Sequence, residues 1–273
     1  MTQILPNGIG ASSGDVLVTS KDLQMAGTPY FVSSVIGDAG NDGLSRSDPM
    51  ATIVAAYTAA SEGDWIVLAA DHSETLTGSL SLAKALTIVG EGSSGGFPTA
   101  QLINNQGSGS LITVDTADVT IANILFGAQT QACSAALVTC DQARFSVRGC
   151  KFEMDGNSDA AALSFATGGQ HARVDSTTFL STSTRQASAS SNAPPVSGIS
   201  IGAAMSGLFM NGTVFDGGEI GFSTYALDAS GAVVTLVSAI GMSFLNGADY
   251  SFASGATGHL QIGTTSGNVV GSF

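Results

Sequence analysis

The chain has 273 residues, enough for a large core, with a net charge of −13 and only 11% charged residues. So few cations argue against nucleic acid as a partner, because phosphate binding needs clustered Lys and Arg. No run approaches the length of a membrane span, and the opening residues show neither the basic nor the apolar region of a secretory signal.

Residues 1–28 read as a separate arm. Pro6, Gly8, Gly10, Gly14 and Gly27 punctuate it, and only residues 15–19 look like a strand. Fully extended, it spans roughly 90 Å. It is either a flexible tail or an anchoring arm that orders on a neighbouring subunit through Ile4, Leu5, Val16 and Leu17. The second reading is favoured. Residues 29–273 then form one domain.

After a strand at Tyr30, a dense turn over 37–45 carries Asp38, Asn41 and Asp42. These are calcium-type oxygens, but their spacing is not that of an EF-hand, so no metal is assigned. A helix is predicted over about 49–61, with Asp48 as N-cap, Pro49 as its first residue, Ile53, Ala56, Tyr57 and Ala60 as its buried face, and Gly63 as its stop. A strand follows at 64–68, residues 75–77 and 79–82 continue a first coil, and residues 86–92 turn the second. His72, beside Asp71 and near Glu74, is the one His–carboxylate cluster, and no nucleophile is placed with it by any motif.

From residue 118 the chain repeats. Residues 118–126, 144–152, 171–179 and 207–215 are nine-residue segments that end in Phe126, Phe152, Phe179 and Phe215, and a fifth copy ends in Phe244. The second position (Val119, Phe145, Ala172, Leu208) and the fourth (Ile121, Val147, Val174, Met210) suit one inward face. The sixth (Asn123, Gly149, Ser176, Gly212) suits a bend whose φ leaves the usual regions. The closing phenylalanines lie 26, 27, 36 and 29 residues apart. Further strands precede these segments at 111–114, 136–139, 162–165 and 198–201. About twenty-five residues per unit, with strands and no helical period, describes one coil of a parallel β-helix. Stacked ~4.8 Å apart, the phenylalanines form an internal ladder. The sparse charge and the 35 glycines suit a fold with many corners.

The opening of this domain is also specific in its residues. Tyr30-Phe-Val, the Gly-Asn-Asp-Gly-Leu run before Ser45, the Asp48-Pro-Met-Ala-Thr run before Ile53, Ala59-Ala, Gly63-Asp-Trp-Ile-Val, Glu74-Thr-Leu and the Leu86-Thr-Ile-Val-Gly-Glu run before Gly92 resemble the start of right-handed parallel β-helices of the pectate-lyase-like kind. The resemblance covers residues 30–92, and the later coils agree in pattern. It implies that the short helix caps the N-terminal end of the stack. The same fold serves polysaccharide lyases and hydrolases and also bacteriophage tail spikes and other virion proteins, so it does not choose a function.

Cleavage of a neutral glycan needs two carboxyl groups. The column after the phenylalanine ladder reads Gly127, Glu153, Leu180, Asp216, Leu245, which puts Glu153 and Asp216 two coils, ~10 Å, apart. They are the best catalytic candidates, with Asp155, Asp159 and Glu219 nearby. The competing reading is acidic corner residues facing water. A polyuronate lyase needs cations, and none follows Arg185. In the stacked register Arg148 meets Asp175 and Asp118 meets Arg144, as outward ladder pairs. Leu125, Phe209 and Val214 point away from the core and mark an interface, Phe209 above all. The step between Phe179 and Phe215 holds a Ser- and Pro-rich loop, 181–195. Cys133, Cys140 and Cys150 are an odd count without metal-ligand spacing. Cys150 falls on an inward column, and a protein kept in a reducing cytoplasm fits better than an exported one. The final coil has no evident cap, and an open edge invites pairing.

Taken together, these features lead to an all-β, right-handed, single-stranded parallel β-helix with a short N-terminal helix and an extended arm. The function expected is that of a non-enzymatic virion protein, a bacteriophage capsid decoration protein, with a homotrimer and a major capsid or other virion protein as partners and no cofactor. The alternative is a tail-spike-like adhesin or depolymerase acting on a neutral cell-surface glycan.

Overall fold

The computed structural model describes residues 27–106, 108–128, 135–155, 161–166, 170–182, 194–264 and 267–272, together with three short strands near the start, Gln3–Leu5, Ile9–Ser12 and Asp15–Val16. Alternating apolar residues broken by left-handed bends give short strands that stack on their counterparts in the next coil. Three walls result. The first contains Pro29–Val32, Trp65–Leu68, Thr87–Gly90, Thr120–Ala122, Ser146–Arg148, Arg173–Asp175, Met205–Asn211 and the first part of Val234–Leu245. The second contains Ser73–Leu76, Gln101–Asn104, Leu125–Ala128, Lys151–Asp155, Thr178–Thr182, Val214–Asp216 and the last part of Val234–Leu245. The third contains Leu80–Leu82, Ile112–Val114, Val138–Cys140, Leu163–Phe165, Ile199–Ile201, Leu227–Ala229 and Tyr250–Phe252. Pairing within each wall is parallel, and the chain visits the walls in turn. This is a single-stranded parallel β-helix, and the hand of parallel strand–crossover–strand connections makes it right-handed.

The core follows the repeat. Val119, Phe145, Ala172 and Leu208, and Ile121, Val147, Val174 and Met210, are all fully buried. Phe126, Phe152, Phe179, Phe215 and Phe244 are in register along the second wall. Their ring centroids are 4.7, 5.0, 5.1 and 5.0 Å apart, close to the interstrand spacing. The bend between the first and second walls is left-handed at Asn123, Gly149, Ser176, Gly212 and Gly241, with φ between 49° and 67°. A second left-handed column, absent from the sequence reading, opens the repeat at Asp118, Arg144, His171 and Gly207. One third-wall strand sits later than its pattern indicates. Ile112 pairs with Val138 and Val138 with Leu163, so that strand is Val138–Cys140, not 136–139.

The N-terminal end is closed by its own chain. The outer edge of Pro29–Val32 is bonded by the following loop: Phe31 N–H donates to Gly43 O (2.7 Å), Met50 N–H to Phe31 O (2.9 Å) and Ser33 N–H to Met50 O (2.9 Å). That use of Met50 as extended backbone is why the helix starts late. It is Ile53–Ala59, with Thr52 rather than Asp48 as N-cap, its side chain accepting from Ala55 N–H, and with Ala60 as C-cap. Ile53 and Ala56 are its buried residues. Lys84 Nζ donates to the carbonyls of Tyr57 (2.9 Å) and Ala60 (2.6 Å), a cation at the negative end of the helix. Asp64 accepts from Thr28 N–H and Ser61 N–H, both at 2.7 Å, and so fixes where the chain joins the stack.

Both ends of the chain depart from the sequence reading. Gln3–Leu5, Ile9–Ser12 and Asp15–Val16 pair with one another in an antiparallel sheet rather than forming an extended arm. The side chains of Ile4, Leu5 and Val16, and Leu17 altogether, lie outside the described residues. At the far end, Thr257–Thr264 adds in parallel to Val234–Leu245, and Gly267–Ser272 then reverses and pairs antiparallel with Thr257–Thr264.

Candidate functional site

The second wall carries both carboxylates that the sequence singles out. Because its phenylalanines point inward, the residues on either side of each point outward. One outward column is Leu125, Lys151, Thr178, Val214 and Ser243, and the other is Gly127, Glu153, Leu180, Asp216 and Leu245. Glu153 and Asp216 therefore share a face, two coils apart, with Leu180 between them.

Neither carboxylate is idle. Lys151 Nζ lies 2.7 Å from Glu153 Oε1, and both side chains are largely covered. The same ammonium lies 4.3 Å from the centre of the Phe97 ring. Phe97 comes from a tight antiparallel hairpin, Ser93–Ser94 with Phe97–Pro98, and its ring is 43% exposed. Asp216 Oδ1 accepts from Asn246 Nδ2 (2.6 Å) and Gly218 N–H (2.9 Å). An inverting hydrolase needs one carboxyl that gives a proton and one that activates water. An ion-paired carboxylate is an acceptor only. Lys151 and Phe97 were missed in the sequence, because Phe97 lies between Gly96 and Pro98 in a stretch with no period. Asp155 lies on this wall beyond Glu153, and Asp159 lies outside the described residues.

The three predicted interface residues do not form one patch. Leu125 and Val214 share a column but are separated by Lys151 and Thr178. Phe209 is on the first wall, half-buried, with Arg173 over its ring at 5.1 Å. Among the described residues before the second coil, the large exposed apolar side chains are Val35 (64%), Ile36 (63%), Leu44 and Val54. Ile36 also lines a cavity of about 140 Å³ with Phe31, Pro49 and Val67, rimmed by the ion pair of Arg46 and Glu91.

The remaining candidates are structural in their contacts. His72 is fully buried, and its Nε2 lies 3.2 Å from Glu74 Oε2 in an orientation that makes no hydrogen bond. Glu74 in turn accepts from Ile53 N–H (2.8 Å) and so holds the start of the helix. Asp38 and Asp42 accept N–H groups of their own turn, from Gly40 and Leu44, and Asn41 donates to Pro49 O. Asp118 and Arg144 form the expected pair through two bonds, 2.6 and 2.7 Å, and these hold the Asp118 carboxyl below its ordinary range. The other expected pair is not made in this way. Asp175 is taken by Arg173 (3.2 Å) and Asn211 (3.1 Å), while Arg148 Nε donates to Ser146 Oγ. Geometry decides this, since Arg173 is on the same strand as Asp175 and reaches it along the strand. Cys140 and Cys150 are buried, and burial pushes their thiols up to about 11 and about 12. Cys133 and most of the 181–195 loop lie outside the described residues.

No protein-family model and no curated protein matches this sequence. Among solved structures, the chain is similar to pectate lyase Pel9A, at 12% identity over 87% of this chain and 77% of that one, with a TM-score of 0.35. A likeness of that size carries no argument about activity; the fold stands on the strand pairing itself. Among the described residues, no helix is long and apolar enough to cross a membrane.

Proposed function

We propose that the chain is a non-enzymatic structural protein of a bacteriophage virion, a capsid decoration protein that docks through its N-terminal segment on a major capsid or other virion protein. The observation that carries the reading is the state of the second-wall carboxylates. Glu153 is paired with Lys151, and Asp216 is engaged by Asn246 and Gly218. Each carboxylate of that outward face has a partner within the chain, which supports a structural role. The interaction side is supported by Val35, Ile36, Leu44 and Val54, which are exposed in the segment that closes the Pro29–Val32 end of the stack. The viral setting rests on the resemblance of residues 30–92.

The test is deletion of residues 1–26, which leaves the bond from Thr28 to Asp64 in place. The truncated protein should still melt cooperatively yet fail to join its particle. A segment that orders on its partner should also be protease-sensitive in the free protein and protected in the assembly. Equal incorporation of truncated and full-length protein overturns the docking role.

One observation favours the second reading, an adhesin or depolymerase for a neutral surface glycan. Phe97 exposes an aromatic face beside Lys151 and Glu153, and sugars stack on such faces while their hydroxyls meet charged groups. Phe97→Ala distinguishes the readings. It should abolish retention on a glycan array if the wall grips sugar, and leave particle incorporation unchanged if it does not.

A further inference from the structure

Three asparagines are followed directly by glycine: Asn7, Asn211 and Asn246. Asparagine is a thermolabile residue, and this pair is open to a reaction within the chain. The backbone nitrogen of the glycine attacks the side-chain carbonyl carbon of the asparagine, and the absence of a Cβ leaves the approach clear. Asn7 lies outside the described residues, and the fold treats the other two in opposite ways. Asn211 ends the first-wall strand Met205–Asn211. Its Nδ2 donates to Asp175 Oδ1 (3.1 Å), and its Oδ1 accepts from Ser238 Oγ (2.8 Å). The nitrogen that would attack, Gly212 N, donates its hydrogen to Ile240 O (2.8 Å). Both ends of the side chain and the nucleophile are therefore held.

Asn246 and Gly247 are both exposed, in the turn that follows Val234–Leu245. Both are left-handed, with φ of 51° and 78°, and the turn is closed by the bond from Ala248 N–H to Leu245 O (3.0 Å). Among the described residues, Gly247 N–H has no hydrogen-bond partner, and a Cβ on Gly247 would meet nothing within 4 Å. The nucleophile is thus free and unshielded. Of the Asn246 side chain only Nδ2 is held, by Asp216 Oδ1 at 2.6 Å on the second wall.

We propose that Asn246 is a site of spontaneous deamidation, and that the modification releases this turn from the second wall. Gly247 N gives its proton to hydroxide and bonds to Asn246 Cγ. The Cγ–Nδ2 bond breaks, and Nδ2 takes a proton from water and leaves as ammonia, which regenerates the hydroxide. Water then opens the five-membered imide at either carbonyl, leaving aspartate or isoaspartate at this position. One water is consumed and one ammonia released, with no oxidant or reductant. The product has a carboxylate where an amide donated to Asp216. A carboxylate only accepts hydrogen bonds, and two that share one site repel. The bond between residues 246 and 216 is therefore lost, and Asp216 keeps the Gly218 N–H. The inference rests on neither the virion nor the glycan reading.

The experiment incubates the full-length wild-type protein in warm, mildly alkaline buffer, native and in urea. Peptide mapping by mass spectrometry then reads the gain of one mass unit, and isoaspartate, at each site. In the native protein Asn246 should convert at least tenfold faster than Asn211, at a rate that rises with pH. In urea the two should convert at similar rates, which shows that the fold makes the difference. Native conversion of Asn246 no faster than that of Asn211 overturns the site. The consequence is read from two variants. Asn246→Asp should lower the melting temperature, and adding Asp216→Asn should restore it by exchanging donor and acceptor. A melting temperature that Asn246→Asp leaves unchanged, or that Asp216→Asn does not restore, overturns the release.

Discussion

Phe152 lies over Phe179 with ring centroids 5.0 Å apart and planes 9° from parallel, and neither ring is reached by solvent. The repeat spacing, the strand register and the hydrophobic core all meet in that contact. It sets the first prediction. Phe179→Ala should cost about 3–5 kcal/mol, through lost burial and the cavity left between two rings. Thr178→Ala, next to it on the outward side, should stay within about 0.5 kcal/mol. Equal shifts of the two melting temperatures would show that the register is wrong.

Gly198 sits beside the same ladder. A Cβ there would lie 3.1 Å from Phe179 Cβ and from Phe215 Cδ1, and 2.9 Å from Ala226 O. The backbone oxygen and the stacked ring cannot both yield. Gly198→Ala should therefore destabilise by about 1–3 kcal/mol, whereas Gly231→Ala, where a Cβ meets nothing within 4 Å, should be nearly neutral. Chemical denaturation of the two variants side by side checks this.

Cys150 is fully buried, with its Sγ directed at Ile121 O (3.7 Å) and Arg148 O (3.5 Å). Burial raises its thiol to about 12, while the unfolded chain loses that proton several pH units lower. Above the unfolded value the unfolded state binds fewer protons than the folded one, so stability falls as pH rises from about 9 toward 12. Cys150→Ala should flatten that alkaline decline. In the native protein at pH 8, peptide mapping after alkylation should show Cys140 and Cys150 unmodified, and rapid labelling of either would contradict their burial.

Glu153 and Asp216 give the test of chemistry. The purified protein is expected to release no reducing sugar from host surface glycans, and neither Glu153→Gln nor Asp216→Asn should change that. Release that disappears in both variants would promote the depolymerase reading over the structural one.

The coil is written in the repeat. Its closing phenylalanines recur at one coil's length, its second and fourth positions are apolar in every copy, and its sixth is small or Asn. These features are local in each copy and equivalent between copies, and stacking turns them directly into columns. That is why the ladder and the Asn123–Gly149–Ser176–Gly212 bend are legible in the sequence. What depends on contacts between distant segments was decided only by the tertiary structure. The helix begins at Ile53 because strand Pro29–Val32 claims the backbone of Met50, and no local capping rule contains that competition. The left-handed bend at Arg144 was hidden because arginine rarely adopts that conformation, and the stacked coils impose it. Asp175 chose Arg173 over Arg148, and Lys151 reached both Glu153 and Phe97, because a side chain's partner depends on which groups lie within its length once the walls are formed. The candidate site was legible as a column of residues. Its chemistry was not, because pairing across and along strands, rather than spacing in the chain, decides whether a carboxylate is left open to react.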